Sequence, residues 1–138
     1  MRFDVKQLIV LVAAATSMSA GSAYAAVPTF EGQPLVVLVY DRDCKVWCGQ
    51  VKPVMKKVKE EFAGKNVEFV DLDTTESVLP DSQKRAKELG IARYVADAQD
   101  YVPVVLVFDA KHKLSKQLPG PKSKADYEAA IDKVVAAK

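Results

Sequence analysis

The fold of this chain is decided by one stretch, residues 40–53, which reads Tyr40-Asp41-Arg42-Asp43-Cys44-Lys45-Val46-Trp47-Cys48-Gly49-Gln50-Val51-Lys52-Pro53. It contains both cysteines and the only tryptophan of the protein. An apolar run precedes it and a lysine-rich amphipathic run follows it, which predicts a strand leading into a helix with two thiols at the junction. A helix N-terminus carries unpaired N–H groups and a positive dipole end, and both favour a thiolate over a thiol. The thiolate is the form that attacks disulfides and binds soft metals.

The N-terminal residues have the pattern of a secretory signal peptide. A short, basic start is followed by an apolar segment at residues 8–15 and by small residues that end in Ala23-Tyr24-Ala25, an A-x-A cleavage site. The apolar segment is shorter than the ~20 residues of a membrane-spanning helix. We therefore expect a signal peptide at residues 1–25, a mature domain at residues 26–138, and no membrane span after cleavage. Such a protein is periplasmic or secreted.

Length and charge narrow the class of protein further. A chain of 138 residues is sufficient for one domain, and its net charge of +2 indicates neither a nucleic acid nor an anionic membrane as a partner. Export places the two cysteines in an oxidising compartment, where thiols usually pair. A disulfide between residues only four apart constrains little of the unfolded chain. The pair is therefore expected to serve chemistry more than stability.

Hydrophobic periodicity predicts an α/β protein. The run Leu35–Tyr40 is continuously apolar, as in a strand buried on both faces of a parallel sheet. The next helix is predicted to begin near Cys44 or Lys45, with Asp43 as its N-cap. Residues 91–99 are predicted to be an irregular or short helical connection. The other predicted elements are a short edge strand at 29–31, strands at 67–73 and 104–108, a hairpin partner at 112–118, a helix at 82–89 and a last helix capped by Ser123.

This order of elements resembles the thioredoxin superfamily over about residues 30–137. The cysteines lie at a strand–helix junction beside Trp47, and Pro53 follows Cys48 by five residues, as a helix proline does in thioredoxins. Val102-Pro103 precedes the third core strand, where the family has a cis-proline facing the cysteines. The resemblance implies an α/β fold, a thioredoxin-like three-layer α/β/α sandwich with a central mixed sheet.

The cysteine motif departs from the family pattern, because three residues separate Cys44 from Cys48 where thioredoxins have two. Alignment on Pro53 makes Cys48 the second, buried cysteine and Cys44 a displaced first one. Alignment on Trp47 makes Cys48 the nucleophile, with Val51 in place of the resolving cysteine. The first alignment is preferred, since it keeps the proline and the helix length.

Closure of a C-x3-C disulfide depends on where the helix begins. Helical residues four apart have Cβ atoms ~5–6 Å apart, whereas a disulfide needs ~3.5–4.5 Å. Asp43 as the N-cap would place Cys44 inside the first turn and separate the thiols. A helix that begins at Lys45 or Val46 would leave Cys44 free to approach Cys48.

The resemblance implies an exported thiol–disulfide oxidoreductase that acts through Cys44 and Cys48. Cys44 would attack, with Arg42 and Lys45 as electrostatic helpers, and Cys48 would resolve the mixed disulfide. Partners would be protein thiols or disulfides and a redox partner protein, with no cofactor, no metal and a monomeric chain. The direction of the redox reaction stays open at this point. Three residues are expected to bind the substrate: Trp47, Val102 and Pro103.

Two alternatives to the oxidoreductase hypothesis remain. The first is a non-catalytic binding module on a thioredoxin scaffold, because a fold does not by itself determine function. The second is a Cu(I)-binding, Sco-like chaperone, a type that carries C-x3-C and a histidine on the same fold and whose soft thiolates select Cu(I). The only histidine, His112, lies at the far end of the third core strand, roughly 20 Å from the thiols at ~3.3 Å per strand residue. This position does not fit a three-ligand copper site, which leaves a two-thiolate Cu(I) site as the form of this alternative.

Overall fold

The computed structural model describes residues 32–136, which form four strands and four α-helices. The predicted signal peptide at 1–25 and the predicted edge strand at 29–31 lie outside the described residues. The elements are β1 (Leu35–Tyr40), α1 (Trp47–Glu61), β2 (Glu68–Asp73), α2 (Leu79–Glu88), α3 (Ala92–Ala98) with a 3-10 turn (Gln99–Tyr101), β3 (Val104–Phe108), β4 (Leu114–Pro119) and α4 (Lys124–Ala136).

The four strands form one mixed sheet in the order β2-β1-β3-β4. β2 runs parallel to β1, with Tyr40 opposite Asp73 at their carboxyl ends. β3 runs antiparallel to β1, and β4 antiparallel to β3. Because β1 and β3 are the two central strands, Leu35–Val39 and Val104–Phe108 are buried throughout. The bounds predicted for both strands are confirmed.

Helices cover both faces of the sheet and create two separate hydrophobic clusters. Val36 and Leu38 of β1 pack on one face with residues of α1 and α4. Leu35, Val37 and Val39 pack on the other face with residues of α2 and α3. This alternation follows from the two-residue period of a strand. The predicted three-layer α/β/α sandwich with a central mixed sheet is confirmed.

The segments on either side of Gly90 are more helical than the sequence predicted. α2 begins at Leu79, three residues before the predicted start, with Pro80 in its first turn. A proline is tolerated there because its missing N–H would have no helical partner. Residues 91–99, predicted as irregular or short helical, contain α3.

The turn between β3 and β4 is organised by Asp109. Its carboxylate accepts the N–H groups of Lys111 and Lys113, each at 2.9 Å. His112 adopts a left-handed backbone conformation in this turn, with φ of 58°. β4 therefore begins at Leu114, two residues later than predicted.

The start of α4 is capped as the sequence predicted. The Ser123 hydroxyl accepts the Asp126 N–H at 3.2 Å, and the Asp126 carboxylate accepts the Ser123 N–H at 3.3 Å, which is a reciprocal capping box. The buried Tyr127 hydroxyl accepts the Lys122 N–H at 3.1 Å and donates to the Gly120 carbonyl at 3.3 Å. These bonds tie the first turn of α4 to the end of β4.

Candidate active site at the strand–helix junction

The two cysteines lie on either side of the start of α1. The predicted helix start near Cys44 or Lys45, with Asp43 as the cap, is wrong. The helix begins at Trp47, and its N-cap, Val46, makes no side-chain capping hydrogen bond. Cys48 is thus the second helical residue, whereas Cys44 precedes the helix by three residues. Cys44 lies outside the first turn, which is the condition that disulfide geometry sets for a C-x3-C pair.

The turn before the helix is organised by Asp41. Its carboxylate accepts the N–H of Asp43 at 2.8 Å, and its carbonyl oxygen accepts the N–H of Cys44 at 3.1 Å. A side-chain bond from aspartate to the backbone two residues later is an Asx turn, a local alternative to helix. Asp43 is therefore held in this turn and does not cap α1.

Burial shifts the pKa of Cys48. Its side chain is 2% exposed, whereas Cys44 is half-buried, and both are free thiols. Burial and, to a smaller extent, the neighbouring Cys44 thiol raise the pKa of Cys48 from an ordinary value near 9 to about 11, although a hydrogen bond from the Asp41 backbone lowers it. At neutral pH Cys48 is thus a protonated thiol, and the neighbouring Cys44 contributes to its raised pKa.

Val102 and Pro103 lie at the end of the sheet where β1 leads into the cysteine loop. Val104 is paired with Val39, so Pro103 is adjacent to the end of β1, where the loop to α1 starts. The Val102–Pro103 peptide bond is cis. Pro103 is buried and Val102 is half-buried.

Large apolar side chains are exposed near this end of the sheet. Trp47 is 57% exposed, which excludes a role as a core residue. Val46 and Tyr101 are 65% and 66% exposed, and neither was predicted from the sequence to belong to the site. Their position next to the expected substrate-binding residues Trp47 and Val102 was the signal that could have identified them. Exposed apolar side chains that occur together are typical of a contact surface.

The comparisons with known proteins agree with this architecture. Neither a protein-family model nor a curated protein sequence matches the chain. Among solved structures, a thiol:disulfide interchange protein of the thioredoxin family from Chlorobium tepidum is similar with a TM-score of 0.54 and 23% identity, over 77% of this chain and 82% of that chain. A thioredoxin from Malassezia sympodialis has a TM-score of 0.53 and 21% identity, over 78% and 79%. This chain has the thioredoxin fold.

A third similar structure is StoA from Bacillus subtilis, with a TM-score of 0.52 and 14% identity, over 72% of this chain and 83% of that chain. At such identities the likeness concerns the fold, and function has to be argued from the site itself.

Two residues at the end of β2, not singled out from the sequence, contact the loop that carries Cys44. The Thr75 hydroxyl accepts the Arg42 N–H at 3.0 Å, and the Asp73 carboxylate pairs with the Arg42 guanidinium at 2.6 Å. The guanidinium that was expected to assist Cys44 is therefore paired with Asp73. The signal was their place at the end of the predicted strand at 67–73 and just after it, because neighbouring parallel strands end on the same side of a sheet.

The alternative of a copper site with a histidine ligand gains no support from the geometry. His112 follows β3 at the end opposite Pro103, and its Nδ1 contacts the Leu89 carbonyl oxygen at 2.8 Å. Among residues 32–136, no group of three or more His, Cys, Asp or Glu side chains is arranged to hold a metal ion. Within the same residues, no helix has both the length and the apolar character needed to cross a bilayer.

Proposed function

We propose that this protein is an exported thiol–disulfide oxidoreductase whose redox couple is Cys44 and Cys48. The observation that carries the proposal is the position of Cys44, which lies outside α1 and close enough to Cys48 to affect its pKa. A C-x3-C pair inside a helix would be too far apart to close. The thioredoxin fold supports the proposal without deciding it.

Cys44 is the attacking group in this proposal. It is the more accessible of the two thiols, and it precedes the helix, where a partner disulfide can approach it. Its thiolate attacks one sulfur of the partner's disulfide, the partner's S–S bond breaks, and the other partner sulfur leaves as a thiolate that takes up a proton. The product is a mixed disulfide between Cys44 and the partner.

Cys48 resolves the mixed disulfide. As it loses its proton, its sulfur attacks the Cys44 sulfur, and the second partner sulfur leaves and is protonated. The partner disulfide has then gained two electrons and two protons, and the protein holds a Cys44–Cys48 disulfide. The reverse sequence oxidises a partner dithiol. The burial that keeps Cys48 protonated in the resting state supports the resolving role over the attacking role.

The proposed partners are protein thiols or disulfides, together with a redox partner protein that returns the couple to its starting state. The partner's backbone would lie against Val102 and Pro103, and Trp47 would contact its side chains. The exposure of Trp47, Val46 and Tyr101 around the cysteine loop supports a protein as the occupant of this surface. The chain is proposed to act as a monomer without a cofactor.

Export is part of the same proposal, and it has its own test. The A-x-A pattern at residues 23–25 predicts cleavage after Ala25 and a mature chain that begins at Ala26. N-terminal sequencing of the protein recovered from the periplasm or medium of a host that expresses the full chain should start at Ala26. Recovery of the uncleaved chain from the cytoplasm alone would contradict the export proposal.

The function is tested by the reduction potential of the couple. The mature protein is equilibrated with glutathione or dithiothreitol buffers, and its thiols are trapped and counted by mass spectrometry. We expect a reversible intramolecular disulfide with a potential in the range of about −270 to −120 mV that exchange proteins cover. Cys44→Ser and Cys48→Ser are matched controls, since each should abolish the two-electron transition.

A different outcome would lead to one of the alternatives. If the two thiols of the folded protein do not pair under any oxidant, the two-cysteine mechanism is wrong. A binding module or a two-thiolate Cu(I) site would then be the function to examine.

A further inference from the structure

The loop that carries Cys44 is held in place from outside α1. Its neighbour in space is the segment after β2, because β1 and β2 are parallel and end side by side, with Tyr40 opposite Asp73. The N-cap of α1, Val46, contributes no side-chain hydrogen bond. The position of Cys44 before the helix therefore depends on contacts made by the preceding residues.

Ser77 and Thr74 contact this segment through Arg42 and the Tyr40 carbonyl. Four further side chains form one connected set, which we call the loop clamp: Asp41, Arg42, Asp73 and Thr75. The Thr75 hydroxyl accepts the Arg42 N–H at 3.0 Å and lies 3.1 Å from the Asp41 carboxylate. The same hydroxyl also reaches the Asp73 carboxylate. A hydroxyl has one proton, so the Thr75 O–H donates to the Asp41 and Asp73 carboxylates in turn. Its oxygen accepts the hydrogen bond from the Arg42 N–H.

The last contact of the loop clamp is an ion pair between Arg42 and Asp73. The Arg42 Nε lies 2.6 Å from Asp73 Oδ2, and the Asp73 side chain is only 15% exposed. The Thr75 N–H donates to the other Asp73 oxygen at 2.9 Å. Burial alone would raise the pKa of Asp73, but the hydrogen bonds from Thr75 and the charge of Arg42 hold it below its ordinary value, so the carboxylate stays charged at neutral pH.

The clamp is connected to Cys44 through Asp41. The Asp41 carboxylate that contacts Thr75 also accepts the Asp43 N–H, and the Asp41 carbonyl accepts the Cys44 N–H. If Asp73 or Thr75 no longer contacts the loop, the Asp41 turn is less well supported against a longer α1 that would include Cys44. A longer helix would carry the Cys44 Cβ away from the Cys48 Cβ, to the spacing of helical residues four apart.

We propose that Asp73 and Thr75 are positioning residues for the Cys44–Cys48 couple, which hold Cys44 outside α1 and within reach of Cys48. This inference rests on the proposed function, because it concerns the same redox pair. The clamp limits the motion of the loop and so raises the effective concentration of one thiol at the other. Loss of the clamp should make the intramolecular disulfide less favourable and the potential of the couple less negative.

The test is the potential of the Cys44–Cys48 couple in two clamp variants of the mature protein. Thr75→Val keeps the shape of the side chain and removes the hydroxyl, and Asp73→Asn removes the charge. In each, the equilibrium constant for disulfide formation against glutathione should fall about tenfold, which is ~30 mV for a two-electron couple. Thr75→Ser restores the hydroxyl and should return the constant to the wild-type value.

Asp71→Asn is the matched control for Asp73→Asn. Asp71 lies on the same strand, opposite Leu38 in the middle of β1, and is ion-paired at 3.1 Å with Lys59. It should leave the potential unchanged. Urea unfolding of every variant separates a change in potential from a general loss of stability, and circular dichroism shows which variants are folded.

The outcomes separate this inference from the proposed function. If the wild-type couple forms reversibly and the folded clamp variants keep its potential while they lose stability, Asp73 and Thr75 are structural only and the positioning role is wrong. The same conclusion holds if Thr75→Ser and Thr75→Val shift the potential equally. If the wild-type thiols do not pair under any oxidant, the proposed function is wrong and this inference with it.

Discussion

In the reduced protein, Cys48 should react with an alkylating reagent much more slowly than an ordinary thiol. Only the thiolate reacts, and its fraction follows from the pKa. With a pKa of about 11, roughly 1 in 10,000 Cys48 side chains is ionised at pH 7, against about 1 in 100 at the ordinary value near 9. Ionisation alone therefore predicts a rate about 100-fold lower than in the unfolded chain. The 2% exposure of the side chain can only lower the rate further.

The rate can be measured for each cysteine in one sample. The reduced protein is treated briefly with iodoacetamide between pH 6 and 11, and it is then digested at lysine. Cleavage after Lys45 separates Cys44 from Cys48, so mass spectrometry reads each one on its own peptide. The urea-unfolded protein provides the reference rate for the same two peptides.

The pH profile is the decisive part of the result. Below the pKa the thiolate fraction rises tenfold per pH unit, and the Cys48 rate should rise with it. Because burial raises the pKa, the rate should level off only near pH 11. The unfolded reference should level off near pH 9. A Cys48 profile that levels off near pH 9, or a rate at pH 7 within threefold of the reference, would show that burial does not keep this thiol protonated.

Further predictions concern stability in urea. Because the pKa of Cys48 is higher in the folded protein, its protonated thiol stabilises the fold fully below about pH 9, and this stabilisation is lost by about pH 11. Relative to Cys48→Ala, the free energy of unfolding of the reduced protein should fall by up to about 3 kcal/mol over that range. The same dependence of this free energy on pH in both proteins would contradict the prediction. Tyr127→Phe leaves the Lys122 N–H without its partner and should cost about 1–2 kcal/mol at pH 7; an unchanged midpoint would refute it. Leu106→Ala opens a cavity at a 1% exposed site and should cost about 2–5 kcal/mol, while the exposed control Lys57→Ala should stay within ~0.5 kcal/mol.

Elements with strong local signals were predictable from the sequence. The continuous apolar runs Leu35–Tyr40 and Val104–Phe108 predicted β1 and β3 with their observed bounds, because central strands are buried on both faces. Ser123 predicted the start of α4, since a hydroxyl at the N-cap and an acid three residues later satisfy each other's backbone donors. The position of both cysteines between a strand and a helix also followed from local pattern.

The start of α1 was not predictable in this way. Asp43 is a favourable N-cap by residue type, and local propensity therefore placed the helix start next to it. In the folded chain the Asp41 carboxylate binds the Asp43 N–H instead, and this turn is supported by the hydroxyl of Thr75. A contact across 34 residues of sequence outweighed the local preference.

Local patterns along the chain were therefore sufficient to predict the layers of the fold and the place of two thiols at one junction. The difference between those two thiols arises from tertiary contacts. Parallel pairing of β1 with β2 brings Asp73 and Thr75 to the cysteine loop, and packing of α1 against the sheet buries Cys48 and raises its pKa. Both effects depend on desolvation and hydrogen bonds between segments distant in sequence, which no local pattern of residues encodes.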